Sequence, residues 1–265
     1  MMILEERGNG RVAIDCQRCG RMYEIPDFRG NAFLTAGYES SRRCPECAAA
    51  EEAERLRQKK LEEKLAAEAR RAELLKNSEL PPHYWQHKVT LAPLCDAPAL
   101  PKAFRWLWDH RRENILLSGE TGSGKSTAAC AAAYRMIRDD GKRIRYAPLR
   151  RLLTDWRAAK TDDDGDAPER FLRTLRQLDV LIVDEVVGKA HVTDSGQELL
   201  FELLESVNSG TCRAKIWLLG NFYAGSIEEI FSDPEPVRRR LAENFCCALL
   251  QGGEARPLEV WHGKS

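Results

Sequence analysis

No apolar run in the chain approaches the roughly 18 residues that a membrane-spanning helix needs. The opening residues, MMILEERGNG, place glutamates early and carry no long apolar core, so they do not form a secretion signal. An excess of either charge is also missing: Lys+Arg and Asp+Glu both count 41. A balanced chain has no global pull toward nucleic acid or membrane, so any such binding must come from local clusters. These absences place the protein in the cytoplasm, off the membrane. What is present is 265 residues, 43% of them apolar, enough for one sizeable core and a small module.

Cysteine is plentiful. Four of the nine cysteines form two C-x-x-C pairs, Cys16/Cys19 and Cys44/Cys47, separated by 24 residues. In a reducing compartment such pairs indicate metal rather than disulfides. Each pair makes a tight knuckle that aims two thiolates at one point, and two knuckles complete a tetrahedral zinc site. Gly20 and Pro45 suit those turns. All four positions are cysteine, which makes the site closed and structural rather than catalytic. Residues 1–50 then form a ribbon held by Zn²⁺, too small to fold on apolar burial alone. Tyr23, Phe28, Phe33 and Tyr38 lie between the pairs, with Arg18, Arg21, Arg29, Arg42 and Arg43 nearby. They form either the ribbon's own core or a face that docks protein or nucleic acid. Cys95, Cys130, Cys212, Cys246 and Cys247 show no metal spacing and read as packing residues.

Glycine and proline are absent from residues 48–78, a stretch of strong helix formers with charges of alternating sign. Leu56, Leu61, Leu65 and Leu75 make only a thin stripe, so a solvated helix is expected rather than a coiled coil. Residues 51–78 form this linker, and Pro81-Pro82 ends it.

Residues 79–265 alternate apolar strands with helices, the pattern of an α/β domain. Strands are expected at 115–118, 143–147, 180–183 and 216–219, and helices at 125–138, 149–159 and 168–178. Further helices open at Asp194 and at the Ser226/Glu229 capping box. Between the first strand and helix lies GETGSGKST, the G-x-x-x-x-G-K-[ST] loop that cradles phosphates in backbone amides. It nominates Gly119, Thr121, Gly122, Ser123, Gly124, Lys125, Ser126 and Thr127 as nucleotide-binding. Lys125 reaches the β- and γ-phosphates, and Ser126 binds Mg²⁺. In LIVDEV the strand delivers Asp184 to hold Mg²⁺ and Glu185 to polarise the attacking water. Asn221 ends the next apolar strand, either as an amide that orients that water or as an ordinary turn residue. Arg238, Arg239 and Arg240 occupy one helical turn and point in different directions. After Arg240 only 25 residues remain, too few for a full helical lid.

This ordered set, NILLSGETGSGKST, LDVLIVDEV, LLGN and PVRRRL, resembles the AAA+ ATPases. More narrowly it is similar to the DnaC/DnaI/IstB group of helicase loaders and transposition ATPases. Leu80-Pro81-Pro82-His83-Tyr84 is similar to a family segment that lies near the adenine, which adds Tyr84 to the nucleotide site. The resemblance implies a three-layer α/β/α P-loop domain with a truncated lid. It implies ATP as substrate, Asn221 as the sensing amide and Arg240 as an arginine finger acting on a neighbouring subunit. The ribbon is similar to the zinc-binding domain of DnaI-type loaders, which docks on the hexameric replicative helicase. The implied function is ATP-dependent loading of that helicase onto single-stranded DNA, with self-association through the ATP interface. An IstB-type transposition helper and a zinc-ribbon DNA-binding regulator that senses ATP are the alternatives. Two positions depart from the family pattern: Leu219-Gly220 precede Asn221 where Thr or Ser is usual, and Glu205-Ser206 stand where an Arg-Tyr pair is common.

Overall fold

The computed structural model describes residues 5–7, 11–26, 42–82, 100–187, 194–221, 234–251 and 254–257. The chain divides into two compact units, Met1–Glu68 and Ala69–Ser265.

In the first unit, β1 (Glu5–Arg7), β2 (Arg11–Asp15) and β3 (Met22–Pro26) form an antiparallel sheet in that order. Among the described residues its apolar core is Val12, Ile14 and Ile25, which are buried, with Tyr23 packed against them. Tyr23 therefore joins the core, whereas Phe28, Phe33 and Tyr38 lie outside the described residues. Helix α1 (Pro45–Asn77) follows, with no buried residue along its length. It begins three residues earlier than the composition suggests, inside the second cysteine pair. The cause is local: the Cys44 sulfur accepts the Cys47 amide at 3.4 Å and the Cys44 carbonyl accepts the Ala48 amide at 2.9 Å. Cys44 thus caps the helix as a serine would.

The second unit is built on a six-stranded sheet in the order β5-β6-β7-β4-β8-β9. Its strands are β4 (Asn114–Gly119), β5 (Ile144–Pro148), β6 (Val180–Val187), β7 (Lys215–Asn221), β8 (Phe245–Gln251) and β9 (Glu254–Pro257). All neighbouring pairs are parallel except β8–β9. Helices are α2 (Leu100–Asp109), α3 (Lys125–Asp140), α4 (Leu149–Lys160), α5 (Ala167–Arg176), α6 (Asp194–Asn208) and α7 (Pro234–Asn244). Strand residues alternate between two cores, as a period of two requires. Ile115, Leu117, Ile182, Trp217 and Leu219 join α2 and α3 on one face. Leu116, Leu181, Val183, Ile216 and Leu218 join α4, α6 and α7 on the other. Residues 128–133 of α3 are five alanines and Cys130, all buried, so this helix lies close on the sheet.

Expectation and structure differ in two places in the sheet. Strand β6 runs on past Val183, because a bulge sets Asp184 and Glu185 against Leu219 alone. Strands β8 and β9 follow the arginine helix and complete the sheet, and the sequence reading has neither. The Ser226/Glu229 capping box lies outside the described residues.

Candidate functional site

The phosphate loop joins β4 to α3. Gly119 has φ 157° and a Cβ there would stand 2.7 Å from the Leu250 carbonyl oxygen of β8. Only glycine lets the strand and loop meet so closely. Gly124, at φ 86°, turns the chain left-handed into the first turn of α3 and gives no side-chain cap. The opening amides of α3 are therefore left for an anion, reinforced by the helix dipole.

Lys125 is buried. Its ammonium donates to the carbonyls of Gly119 at 2.7 Å and Glu120 at 2.8 Å, and to Ser123 Oγ at 3.3 Å. It also donates to Asn221 Oδ1 at 3.1 Å, across from β7. Asn221 Nδ2 in turn donates to Thr121 Oγ1 at 2.8 Å. Burial lowers the Lys125 pKa, and the nearby Asp184 charge opposes that shift. The fold thus brings Lys125, Asn221, Thr121 and Asp184 to one corner. The parallel register explains how: Ser118 of β4 pairs Gly220 of β7, and Leu218 pairs Val183 of β6. The three strand ends therefore emerge side by side at the carboxyl edge, where α/β sheets bind ligands.

Asp184 is 3% exposed, and both its oxygens are held. The Glu185 amide donates to Oδ1 at 2.7 Å, and the Tyr146 hydroxyl donates to Oδ2 at 2.7 Å. Glu185 is exposed and adopts φ 56°, a left-handed conformation that residues with a Cβ avoid. The bulge that forces this conformation turns the two adjacent acids to different fates, one buried and hydrogen-bonded, the other presented to solvent. Ser126 and Thr127 sit half-buried in the first turn of α3. Tyr84 lies outside the described residues.

The three arginines of α7 have partners within their own chain. Arg238 pairs Glu235 at 3.0 Å and Arg239 pairs Glu243 at 2.9 Å, both on the surface. Arg240 is 19% exposed, pairs Glu205 of α6 at 2.5 Å and lies 4.5 Å above the Phe201 ring. It meets α6, not the phosphate loop.

In the first unit the sulfurs of Cys16, Cys19, Cys44 and Cys47 lie within 4.8 Å of one another. A tetrahedron with arms of about 2.3 Å has edges of roughly 3.8 Å, and Cys19 and Cys44 stand 3.8 Å apart. The Cys44 amide donates to the Cys16 sulfur at 3.3 Å, and that bond above all lowers the Cys16 thiol to about 6. The side-chain contact with Cys44 pushes Cys47 up to about 12. Four sulfurs so close, with backbone amides turned to two of them, suit a tetrahedral thiophilic cation such as Zn²⁺, which binds them as thiolates.

A phosphate-binding loop, an acid pair on a bulged strand and an amide on the strand between define an ATP-binding α/β protein with the AAA+ fold. More particularly, a family model described as IstB-like ATP binding protein matches residues 32–234, and the chain belongs to that family. The ATP-binding protein of insertion sequence IS1162 from Pseudomonas fluorescens is 37% identical over 101 residues, 37% of this chain and 40% of that protein. The uncharacterized protein YdaV of Escherichia coli strain K12 is 30% identical over 92 residues, 35% of this chain and 36% of that protein. The matches thus span less than half the length of these two curated relatives. Among solved structures, the DnaC helicase loader gives a TM-score of 0.51 at 15% identity, covering 64% of this chain and 100% of that one, a likeness of fold.

One residue of this corner was not foreseen from sequence. Tyr146 is a single aromatic in a short strand, and no spacing links it to Asp184, 38 positions away.

Proposed function

We propose that this protein is an ATPase that uses ATP binding to assemble with a partner on DNA and hydrolysis to release it. The observation that supports it best is the corner where Lys125, Asn221 and Asp184 converge at the end of the phosphate loop. Lys125 exchanges its carbonyl partners for the β- and γ-phosphate oxygens. Ser126 and Asp184 would hold Mg²⁺, which when bound would neutralise charge on those phosphates. Glu185, whose side chain is exposed, takes a proton from the attacking water. Asn221, already bonded to Lys125, orients that water beside the γ-phosphate. Arg240 completes a neighbouring subunit's site after leaving Glu205.

The partner we propose is a hexameric replicative helicase, loaded onto single-stranded DNA, with the zinc ribbon and α1 as the docking arm. The four-cysteine module and the fold shared with the DnaC helicase loader support it. A second reading, a transposition helper on duplex DNA, draws on the relative that belongs to an insertion sequence. Glu185→Gln protein loaded with ATP separates them. For a loader, it retains a purified replicative helicase and prefers single-stranded DNA, and deletion of residues 1–50 abolishes the helicase contact. Preference for duplex DNA with capture of a transposase would move the protein to the second reading.

A further inference from the structure

Strand β5 lies at the edge of the sheet, beside β6, and Tyr146 is its central residue. Tyr146 is registered opposite Ile182, so Asp184 stands two residues further along the same face. The phenol reaches forward over that interval and donates to Asp184 Oδ2 at 2.7 Å. Its ring is buried in the core beside α3. Its backbone is fixed as well: the Tyr146 amide donates to the Ser78 carbonyl at 2.8 Å, and the preceding Arg145 pairs Glu79 at 3.2 Å and Asp155 at 2.6 Å. The hydroxyl is therefore held in place from the strand's outer side.

A carboxylate oxygen offers two lone-pair directions. With one bond to Oδ2 from Tyr146 and one to Oδ1 from the Glu185 amide, each oxygen keeps a direction for another ligand. The Glu185 bond comes from the adjacent residue and moves with the bulge. The Tyr146 bond comes from a different strand and ties the carboxylate to the rigid sheet. Resting on the reading of Asp184 as the Mg²⁺ carboxylate, we infer that Tyr146 is a positioning residue that fixes Asp184 for the metal. Groups that orient a metal-binding side chain typically change metal affinity or activity by about 10- to 100-fold when removed.

Tyr146→Phe keeps the ring and deletes only the hydroxyl. In the full-length protein, binding of a fluorescent ATP analogue is titrated with Mg²⁺, and repeated in EDTA. The expected result is a Mg²⁺ requirement raised by about tenfold or more, with analogue affinity in EDTA and melting temperature close to wild type. In an Asp184→Asn background the same substitution adds no further shift. Superimposable Mg²⁺ curves for wild type and Tyr146→Phe, with Asp184→Asn shifted, would overturn the role of Tyr146 alone. A Tyr146→Phe protein that loses affinity equally in EDTA overturns it too, since the hydroxyl then serves the pocket as a whole. If Asp184→Asn leaves the Mg²⁺ requirement unchanged, the metal reading of Asp184 falls and the inference falls with it.

Discussion

Glu185 holds a backbone conformation that costs a residue with a Cβ about 1–2 kcal/mol, at φ 56° on the bulge of β6. Strain of this kind persists where the surroundings impose it, and it clusters at reacting sites. Two substitutions separate the backbone from the carboxylate. Glu185→Gln keeps the strain and removes the carboxylate proposed as the base, so it should bind ATP, stop turning over and melt near wild type. Glu185→Gly also stops turnover but relieves the strain. Glycine's greater freedom in the unfolded chain returns about 0.5–1 kcal/mol of that gain. The net stabilisation expected in urea unfolding is about 0–1.5 kcal/mol. A Glu185→Gly protein less stable than Glu185→Gln would mean that the side chain, not the bulge, holds the conformation. Gly119 makes the opposite case. Its added Cβ meets a backbone oxygen at 2.7 Å, which no rotamer can relieve, so Gly119→Ala should displace the loop from β8. The measurement is nucleotide affinity, expected to fall by about tenfold or more for a loss of about 1.4 kcal/mol.

Helices α6 and α7 are joined by a pair that the sequence does not advertise. Arg240 and Glu205 lie 35 positions apart, and their contact depends on where two helices land on one face of the sheet. Spacing reads partners within an element or a loop, which is why GETGSGKST and the Asp184-Glu185 strand were legible and this pair was not. Strands β8 and β9 were missed for a different reason. FCCALLQ lacks alternation and becomes a strand by pairing with β4, and the Gly252-Gly253 dipeptide between it and β9, a two-residue hairpin signal in the sequence, went unread. Arg240 also has a buried Nη1 without a hydrogen-bond partner, so its charge depends heavily on Glu205. Glu205 is half-exposed, which limits the energy of the pair. A double-mutant cycle with Glu205→Ala and Arg240→Ala should give a coupling of about 1 kcal/mol in unfolding. The same variants probe function. If Arg240 serves a neighbour, Arg240→Ala mixed with Lys125→Ala restores turnover, because one subunit supplies the loop and the other the arginine. No recovery in that mixture would confine Arg240 to its pairing with Glu205.

The two units reach their folded states by different means. The second has two extensive apolar cores, one on each face of the sheet. The first has, among the described residues, Val12, Ile14 and Ile25 and a cluster of four sulfurs. Three buried apolar residues do not offset the chain entropy of an ordered module, and a metal held by the four sulfurs would supply folding energy beyond them. Its sheet and the start of α1 share Cys16 and Cys44, which donate and accept across the knuckles through the Cys44 amide. If the four sulfurs hold a metal, removing it should therefore unfold residues 11–26 and 42–47 while leaving the larger unit's sheet intact. A zinc chelator added to the whole protein is expected to expose those segments to protease and to rapid amide exchange. ATP-analogue affinity should stay within about twofold of the untreated protein, because every residue assigned to the nucleotide lies in the second unit. Cys16→Ser should reproduce the effect without chelator. Loss of nucleotide binding on chelation would show that the ribbon supports the ATP site directly, and the separate roles proposed for the two units would not stand.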